Sequence, residues 1–344
     1  MQGQQSSQIS FFGTIYDALI PKDHLLQRIH QAVDFRFVAP LVADCYCPDN
    51  GRKSWDPVIL FKMVFLQFLY DLSDREIEDQ VNLHLACKWF VGLMPEETAP
   101  DHTRLSNFRV RLGAEKFQDI FNEIVESAKR AGLVHDRLRI IDATHIEAKV
   151  DLFRLKREEE KKPEEKREEK YVDKNSPDAD ARFGHKTKKK SFYGYKEHIA
   201  VDADSEIITA VKVTPGNVAD GDLFKDLVDK EAREATADKA YDTDENHGHL
   251  KGNGQKSSII VKKNRTDENI VGQADKASQK ERPKIEHKFG EQKKYHGIRR
   301  ARYWGLFKVK IQVLLTCIVV NCKKIAKLIR DGISQQGKER LQAA

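Results

Sequence analysis

The sequence predicts an α/β chain in two parts: an all-helical amino-terminal region to about residue 136, then a mixed sheet with helices on its faces. Three observations carry that reading. Apolar residues recur at three and four positions through the first part, and at Leu138 the period shortens to that of a strand. Beyond it, strand and helix patterns follow in the order strand, hairpin, helix, strand, helix, strand, helix, as sheet-plus-helix folds require. A chain of 344 residues is long enough for two such domains.

In the first part, Asp56 before Pro57 is an N-cap with proline at the first helical position. Val58, Phe61, Phe65, Phe68 and Leu69 then mark a buried helix. Ser73-Asp74-Arg75-Glu76 is a capping box that starts a second helix carrying Ile77 and Val81 inward. Two helices joined this tightly suggest a helical hairpin or helix-turn-helix. Pro100-Asp101-His102-Thr103 breaks the chain, and Phe108, Phe117, Ile120, Phe121 and Ile124 restore the helical period up to Gly132. Residues 1–136 are expected to form one helical domain.

The second part, 137–330, opens with the strand Leu138-Arg139-Ile140-Ile141-Asp142-Ala143-Thr144. Arg154 to Lys170 holds eight basic and seven acidic residues among seventeen. With nothing to bury, the insert at about 152–182 is expected to be an exposed helix or disordered, and dispensable. Tyr193–Ala203 and Glu206–Val213 flank Asp204-Ser205 as a hairpin. A strand over Glu234–Asp238, a helix over Thr243–Leu250, a strand over Ser257–Lys262 and a helical pattern from Pro283 onward complete it. Residues 331–344 are expected to be a flexible tail.

Charge points to the partner. From Arg282 to Lys310 there are ten Lys or Arg against two Glu, a local +8 that exceeds the +6 of the whole chain. Such density suits a polyanion, nucleic acid first, although a plain solvated basic face has the same composition. Five cysteines without a C-x-x-C pair argue against a disulfide scaffold or zinc ribbon. Cys317 and Cys322 lie in or beside an apolar run and are expected to be buried. The start, Met-Gln-Gly-Gln-Gln-Ser-Ser, lacks the features of a signal peptide, and no apolar run reaches the ~20 residues of a membrane span. A reducing cytoplasm is the expected location.

Magnesium takes oxygen ligands, and a two-metal phosphoryl-transfer site needs acids converging from separate elements. Asp142 in the first strand, Asp238 at a strand end and Glu286 near the start of the basic helix are the candidates, 96 and 48 positions apart. An Asp at a strand end is commonly a turn or cap residue. Asp151 and Glu147 compete with Asp142, and Asp242 and Asp244 with Asp238, where helix capping explains the latter two better. His145 and His198 flank the site but read as structural, since histidine is a poor magnesium ligand. Lys186, Lys188, Lys189 and Lys190 with Phe192 and Tyr193 are either phosphate contacts or a solvated loop.

Several ordered stretches resemble one family. They are Ile140-Ile141-Asp142-Ala143-Thr144, Gly184-His185-Lys186 through Gly194-Tyr195-Lys196-Glu197-His198, Ala237-Asp238-Lys239-Ala240-Tyr241-Asp242, and Ile285-Glu286 through Arg302-Tyr303, preceded by Pro100 to Arg109. Together they resemble the DDE transposases of bacterial insertion sequences, a similarity that covers most of the chain from about residue 10 to 330. The family's last signature is Tyr, two residues, Arg, three residues, Glu, six residues, Lys. Arg282, Glu286 and Lys293 fit it, Gln279 stands where it has Tyr, and Ala240 where the family usually has Gly. Spacings of four and seven put Arg282, Glu286 and Lys293 on one helix face.

The resemblance implies a ribonuclease H-like catalytic domain and two magnesium ions, with manganese as a substitute, held by Asp142, Asp238 and Glu286. It also implies cleavage of a DNA strand by activated water, then attack of the freed 3′ hydroxyl on target DNA. Double-stranded DNA, as transposon ends and target, is the implied partner of a homodimer, with residues 1–136 as the implied DNA-binding and dimerisation domain. Arg282, Lys293, Arg299, Arg300, Arg302, Lys188, Lys189 and Lys190 are the expected DNA contacts. Two alternatives share these residues: a regulatory DNA-binding protein that has lost catalysis, and a nuclease that hydrolyses without rejoining.

Overall fold

A computed structural model describes residues 1–3, 14–49, 51, 53–160, 168–187, 190–265 and 276–342. Lys188, Lys189 and the middle of the charged insert, 161–167, lie outside them. The chain divides into two compact units, Met1–Leu133 with Leu314–Ala344, and Val134–Val313.

Up to Leu133, every regular element among the described residues is helical. The helices are α1 (Thr14–Leu19), α2 (Leu25–Ala32), α3 (Val38–Leu41), α4 (Pro57–Leu69), α5 (Asp74–Leu83), α6 (Leu85–Val91) and α7 (His102–Arg130). The expected caps form. Asp56 accepts from Val58 N at 2.7 Å, and Ser73 and Glu76 close the capping box reciprocally. α4 is buried along nearly its whole length, which explains why its sequence is apolar on every side. Arg109, buried on α7, donates to Asp74 Oδ2 at 2.6 Å and to Gln67 Oε1 at 3.1 Å, so one ion pair and one amide bind α7 to α5 and α4.

The unit's carboxy-terminal segment differs from expectation. Sequence assigned residues to 330 to the second domain and left 331–344 as a tail, whereas Leu314–Ala344 groups with the first unit and helix α14 (Leu306–Gln342) continues to Gln342. Its apolar run is buried at Leu314, Leu315, Ile318, Val319, Cys322 and Ile325, and no proline interrupts it. Among the described residues no helix is long and apolar enough to cross a membrane.

The second unit is built on one six-stranded mixed sheet. Its strands are β1 (Arg139–Glu147), β2 (Arg182–Thr187), β3 (Lys190–Asp202), β4 (Ile208–Pro215), β5 (Glu234–Thr236) and β6 (Lys256–Ser257). β1 pairs antiparallel with β3 on one side and parallel with β5 on the other; β5 pairs parallel with β6. β4 and β2 lie along the remaining edge of β3. Three antiparallel strands continued by two parallel ones, with flanking helices, make the ribonuclease H-like arrangement.

Side chains alternate along β1, so Ile141 enters a core with Ala200, Ala235, Ala237, Phe224 and Tyr241, while Asp142 and Thr144 face the other way. That core is covered by α10 (Phe224–Leu227) and α11 (Asp244–Gly252). The opposite face meets α13 (Pro283–Tyr295), which follows the short α12 (Lys276–Gln279). Arg139, wholly buried, is neutralised by Asp202 at 2.7 Å, by Asp229 at 3.1 Å and by Asp136.

Three expectations need correction here. The strand predicted over Ser257–Lys262 is regular only at Lys256–Ser257, because β5 itself is three residues long and turns away at Asp238. The helical pattern from Pro283 stops at Tyr295 and resumes at Leu306, with Gly297 at φ 64° and Gly305 at φ 89° bounding the break. Within it, Arg299 O and Ala301 N both bond Glu147 of β1, at 3.0 and 2.8 Å. Finally, the insert is not featureless. α8 (Leu152–Glu160) and α9 (Glu168–Asn175) form at its ends, and Leu155, Tyr171 and Val172 are buried.

Candidate active site

Asp142 and Asp238 come from neighbouring strands. Arg139 lies opposite Ala235 and Ile140 opposite Thr236, so β5 delivers Asp238, two residues past its end, to the neighbourhood of Asp142 on the adjacent strand. Asp238 turns out of β5 by accepting from Ala240 N at 2.7 Å, which opens a one-turn 3-10 helix over Lys239–Tyr241. Asp142 accepts from Ala143 N at 2.8 Å and from Arg282 Nη2 at 3.2 Å. Burial pushes the Asp142 carboxyl up to about 6; the Ala143 amide and Arg282 pull against that rise, and the like charge of Asp238 adds to it.

Glu286 sits on α13, one turn beyond Arg282 and exposed. Residues 282, 286, 289 and 293 make one stripe of the helix. Arg282 at its start reaches Asp142, and Lys293 at its end donates to Thr144 Oγ1. Glu286 therefore lies between two points of attachment to the Asp142–Thr144 face of β1. Gln292 adds a third, donating to the buried Glu197 at 2.8 Å.

Asp142 and Asp238 come from neighbouring strands and Glu286 from the helix whose Arg282 reaches Asp142, but the three acids do not form a closed knot. Among the described residues, the groups whose ligand atoms all lie within 4.8 Å of one another are Glu78, Asp101 and His102, and Asp136, Asp229 and Glu231. Structure explains both. Asp101 caps α7 at Thr103 N and Glu78 takes the His102 amide, while Asp136 and Asp229 are counter-ions of Arg139.

The rival acids have structural work of their own. Asp242 is buried and accepts from His247 at 2.8 Å, from Lys262 N at 2.7 Å and from Arg265 at 2.7 Å. Asp244 lies in the first turn of α11 and pairs with Arg265, and Asp151 caps α8 through Arg154 N at 3.0 Å. Glu147 lends its backbone to the break after α13. His198 lies on the opposite face from Asp142, bonded to Thr214 Oγ1 at 2.9 Å, with burial pushing its ring down to about 4. His145 packs its ring 5.1 Å from Phe192.

Of the expected DNA contacts, Arg299, Arg300 and Lys190 are exposed and Arg302 is half-buried. Arg300 is partly committed: its guanidinium donates to the carbonyls of Ala148 and Val150 at 3.3 and 3.2 Å. Lys188 and Lys189 fall outside the described residues. Residues that sequence reading left without roles also make defined contacts: Thr144 accepts from Lys293, and Lys196 holds Asp220 at 2.8 Å; Tyr241 is buried in the core. All but Asp220 lie within the motif stretches quoted above; only the fold reveals what they face.

A family model described as a transposase DDE domain matches residues 135–322, and one described as a transposase domain (DUF772) matches residues 14–111. A solved piggyBac transposase synaptic complex with hairpin DNA aligns with 94% of this chain and 76% of its own, at 10% identity and a TM-score of 0.41. The first match spans more than half of the chain and contains all three candidate acids, and on it the chain belongs to the DDE transposase family of the insertion-sequence type.

Proposed function

We propose that this transposase binds the ends of its insertion sequence as a homodimer and cuts and rejoins double-stranded DNA, with Asp142, Asp238 and Glu286 holding two magnesium ions. The observation that carries the reading is that Asp142 within β1 and Asp238 just past the end of β5 come from neighbouring parallel strands, with Arg282 and Glu286 on the helix whose start meets Asp142. The donor set fits the ions. It is all oxygen, as a hard cation requires, and Asp142 carries a proton more readily than usual because burial penalises its charge, with the like charge of Asp238 adding to it, a cost that a divalent cation removes. Bound there, the ions would acidify the attacking water and neutralise charge on the attacking and leaving oxygens.

The remaining roles belong to the chain. Arg282 and Lys293 would exchange Asp142 and Thr144 for phosphate oxygens, and Arg299, Arg302 and Lys190, with what Arg300 has to spare, would hold the flanking backbone. Five free cysteines suit work in a reducing cytoplasm. The test is incubation with DNA carrying the inverted repeats that bracket the gene, with and without magnesium. A joined product supports transposition; hydrolysis alone supports the nuclease reading, and binding without cleavage the regulatory one.

A further inference from the structure

Glu197 on β3 is wholly buried, and so is Gln292 on α13, whose side-chain amide donates to the Glu197 carboxylate at 2.8 Å. Taking a carboxylate out of water is costly, and two apolar side chains would dock the helix without that cost. In the β1–β3 register Glu197 stands directly opposite Thr144, so the two side chains share the sheet face that carries Asp142. Lys293, next to Gln292 on α13, donates to that same Thr144.

Two rows of α13 meet the sheet in different ways. Residues 284, 288 and 292 repeat every four positions and form one row. Lys284 donates to Ala203 O at 2.8 Å, Lys288 pairs with Glu206 at 3.4 Å, and Gln292 holds Glu197. Of these three contacts only the last reaches into a strand, since Ala203 and Glu206 belong to the turn after β3. Lys288 and Gln292 have almost no exposed surface, so an arriving DNA phosphate cannot draw them away. Arg282 and Lys293, in the neighbouring row with Glu286, are partly exposed and hold Asp142 and Thr144. In the proposed reaction both move to phosphate, which leaves the buried row to hold the helix. A hydrogen bond of 2.8 Å is met at one helix position, whereas apolar packing tolerates a slide.

We propose that Glu197 and Gln292 are a positioning pair for Glu286: their buried hydrogen bond keeps α13 in register with the sheet while Arg282 and Lys293 transfer to DNA phosphates, so that Glu286 stays aligned with Asp142. The inference rests on the acid assignment above. It involves no covalent step and no proton transfer.

The test uses the full-length protein, with Gln292→Met to break the bond at nearly constant volume. Glu197→Met breaks the same bond from the strand and takes its place if the first variant does not fold. The first readout is the calcium concentration for half-maximal thermal stabilisation in the presence of end DNA. It should rise about tenfold in Gln292→Met, while metal-free affinity for end DNA is unchanged because no phosphate contact is lost. Exchanging the partners, Gln292→Glu with Glu197→Gln, restores a hydrogen bond at the same place and should return the midpoint to near the wild-type value. In a Glu286→Gln background Gln292→Met should add no further shift, because the pair acts through that carboxylate. kcat for magnesium-dependent nicking should fall about tenfold in Gln292→Met, with KM for DNA unchanged. A lower melting temperature with an unchanged calcium midpoint, a shift that persists in the Glu286→Gln background, or no recovery in the exchanged pair would overturn the proposal. A wild-type midpoint in Glu286→Gln alone would overturn the acid assignment and the proposal with it. A Gln292-dependent midpoint in a protein that nicks no DNA would count against the cleavage reading and leave the positioning role supported.

Discussion

Arg282 Nη2 donates to Asp142 Oδ2 across 3.2 Å, and the same helix stripe carries Glu286 four positions further on. The guanidinium is thus paired with Asp142, and in the proposed function it exchanges that carboxylate for a DNA phosphate. Arg282→Ala should weaken end-DNA binding and reduce the steepness of its salt dependence by about one unit, as loss of one phosphate contact requires. Melting should fall as well, because both side chains are mostly buried and Asp142 loses its counter-charge. Affinities measured across a salt series would check this; an unchanged slope would make Arg282 a strut for Asp142 alone.

Lys293 poses the same question at the other end of the stripe. It donates to Thr144 Oγ1 in this structure. If it transfers to phosphate, Lys293→Ala should lower the salt slope by about one unit while Thr144→Val leaves it unchanged. A common loss of melting temperature in both variants, with no change of slope, would mark the contact as structural.

His198 makes the second unit sensitive to acid. Its ring is held neutral by burial, down at about 4 against an ordinary 6.5, so the unfolded chain binds the extra proton in the interval between them. Stability contributed by the neutral ring is complete above about 6.5 and falls as pH drops toward 4. Between pH 7 and 5 the loss should be about 1 to 2 kcal/mol. His198→Gln should flatten that part of the melting profile, and a variant as acid-sensitive as the wild type would refute the assignment.

The charged insert should prove divisible. Replacing residues 158–169 with a flexible linker should leave cleavage intact, because these residues carry charge without apolar surface. Val172→Asp should destabilise by about 3 kcal/mol, since it buries an unpaired carboxylate where a fully buried methyl pair now sits. Denaturant melts of the two proteins would show the contrast.

Much of this was legible in the sequence where the physics is local. Asp56-Pro57 and Ser73 to Glu76 announced their helices because capping involves residues two and three apart. The change of period at Leu138 located β1. What could not be read was long-range: that Asp142 and Asp238 come from neighbouring strands depends on the β1–β5 pairing, and that Arg300 spends part of its guanidinium on Ala148 and Val150 depends on a return of the chain 150 residues later. The break at 296–305 had a local signal in Gly297 and Gly305, overridden by the helical pattern on both sides. In the insert, composition concealed three apolar residues, Leu155, Tyr171 and Val172, that suffice to pack its ends.

The assignment of the acids is tested most directly at Glu286. Glu286→Gln keeps the size of the side chain and removes its charge, at an exposed position where no fold-holding contact is lost. End-DNA affinity and magnesium-dependent nicking would be measured side by side for the wild type and this variant. The expected result is binding at wild-type strength or tighter, through lost repulsion of phosphate, with nicking reduced to background. Nicking at wild-type rate, or loss of binding and nicking in equal measure, would contradict it and leave α13 as a basic surface on which Glu286 is incidental.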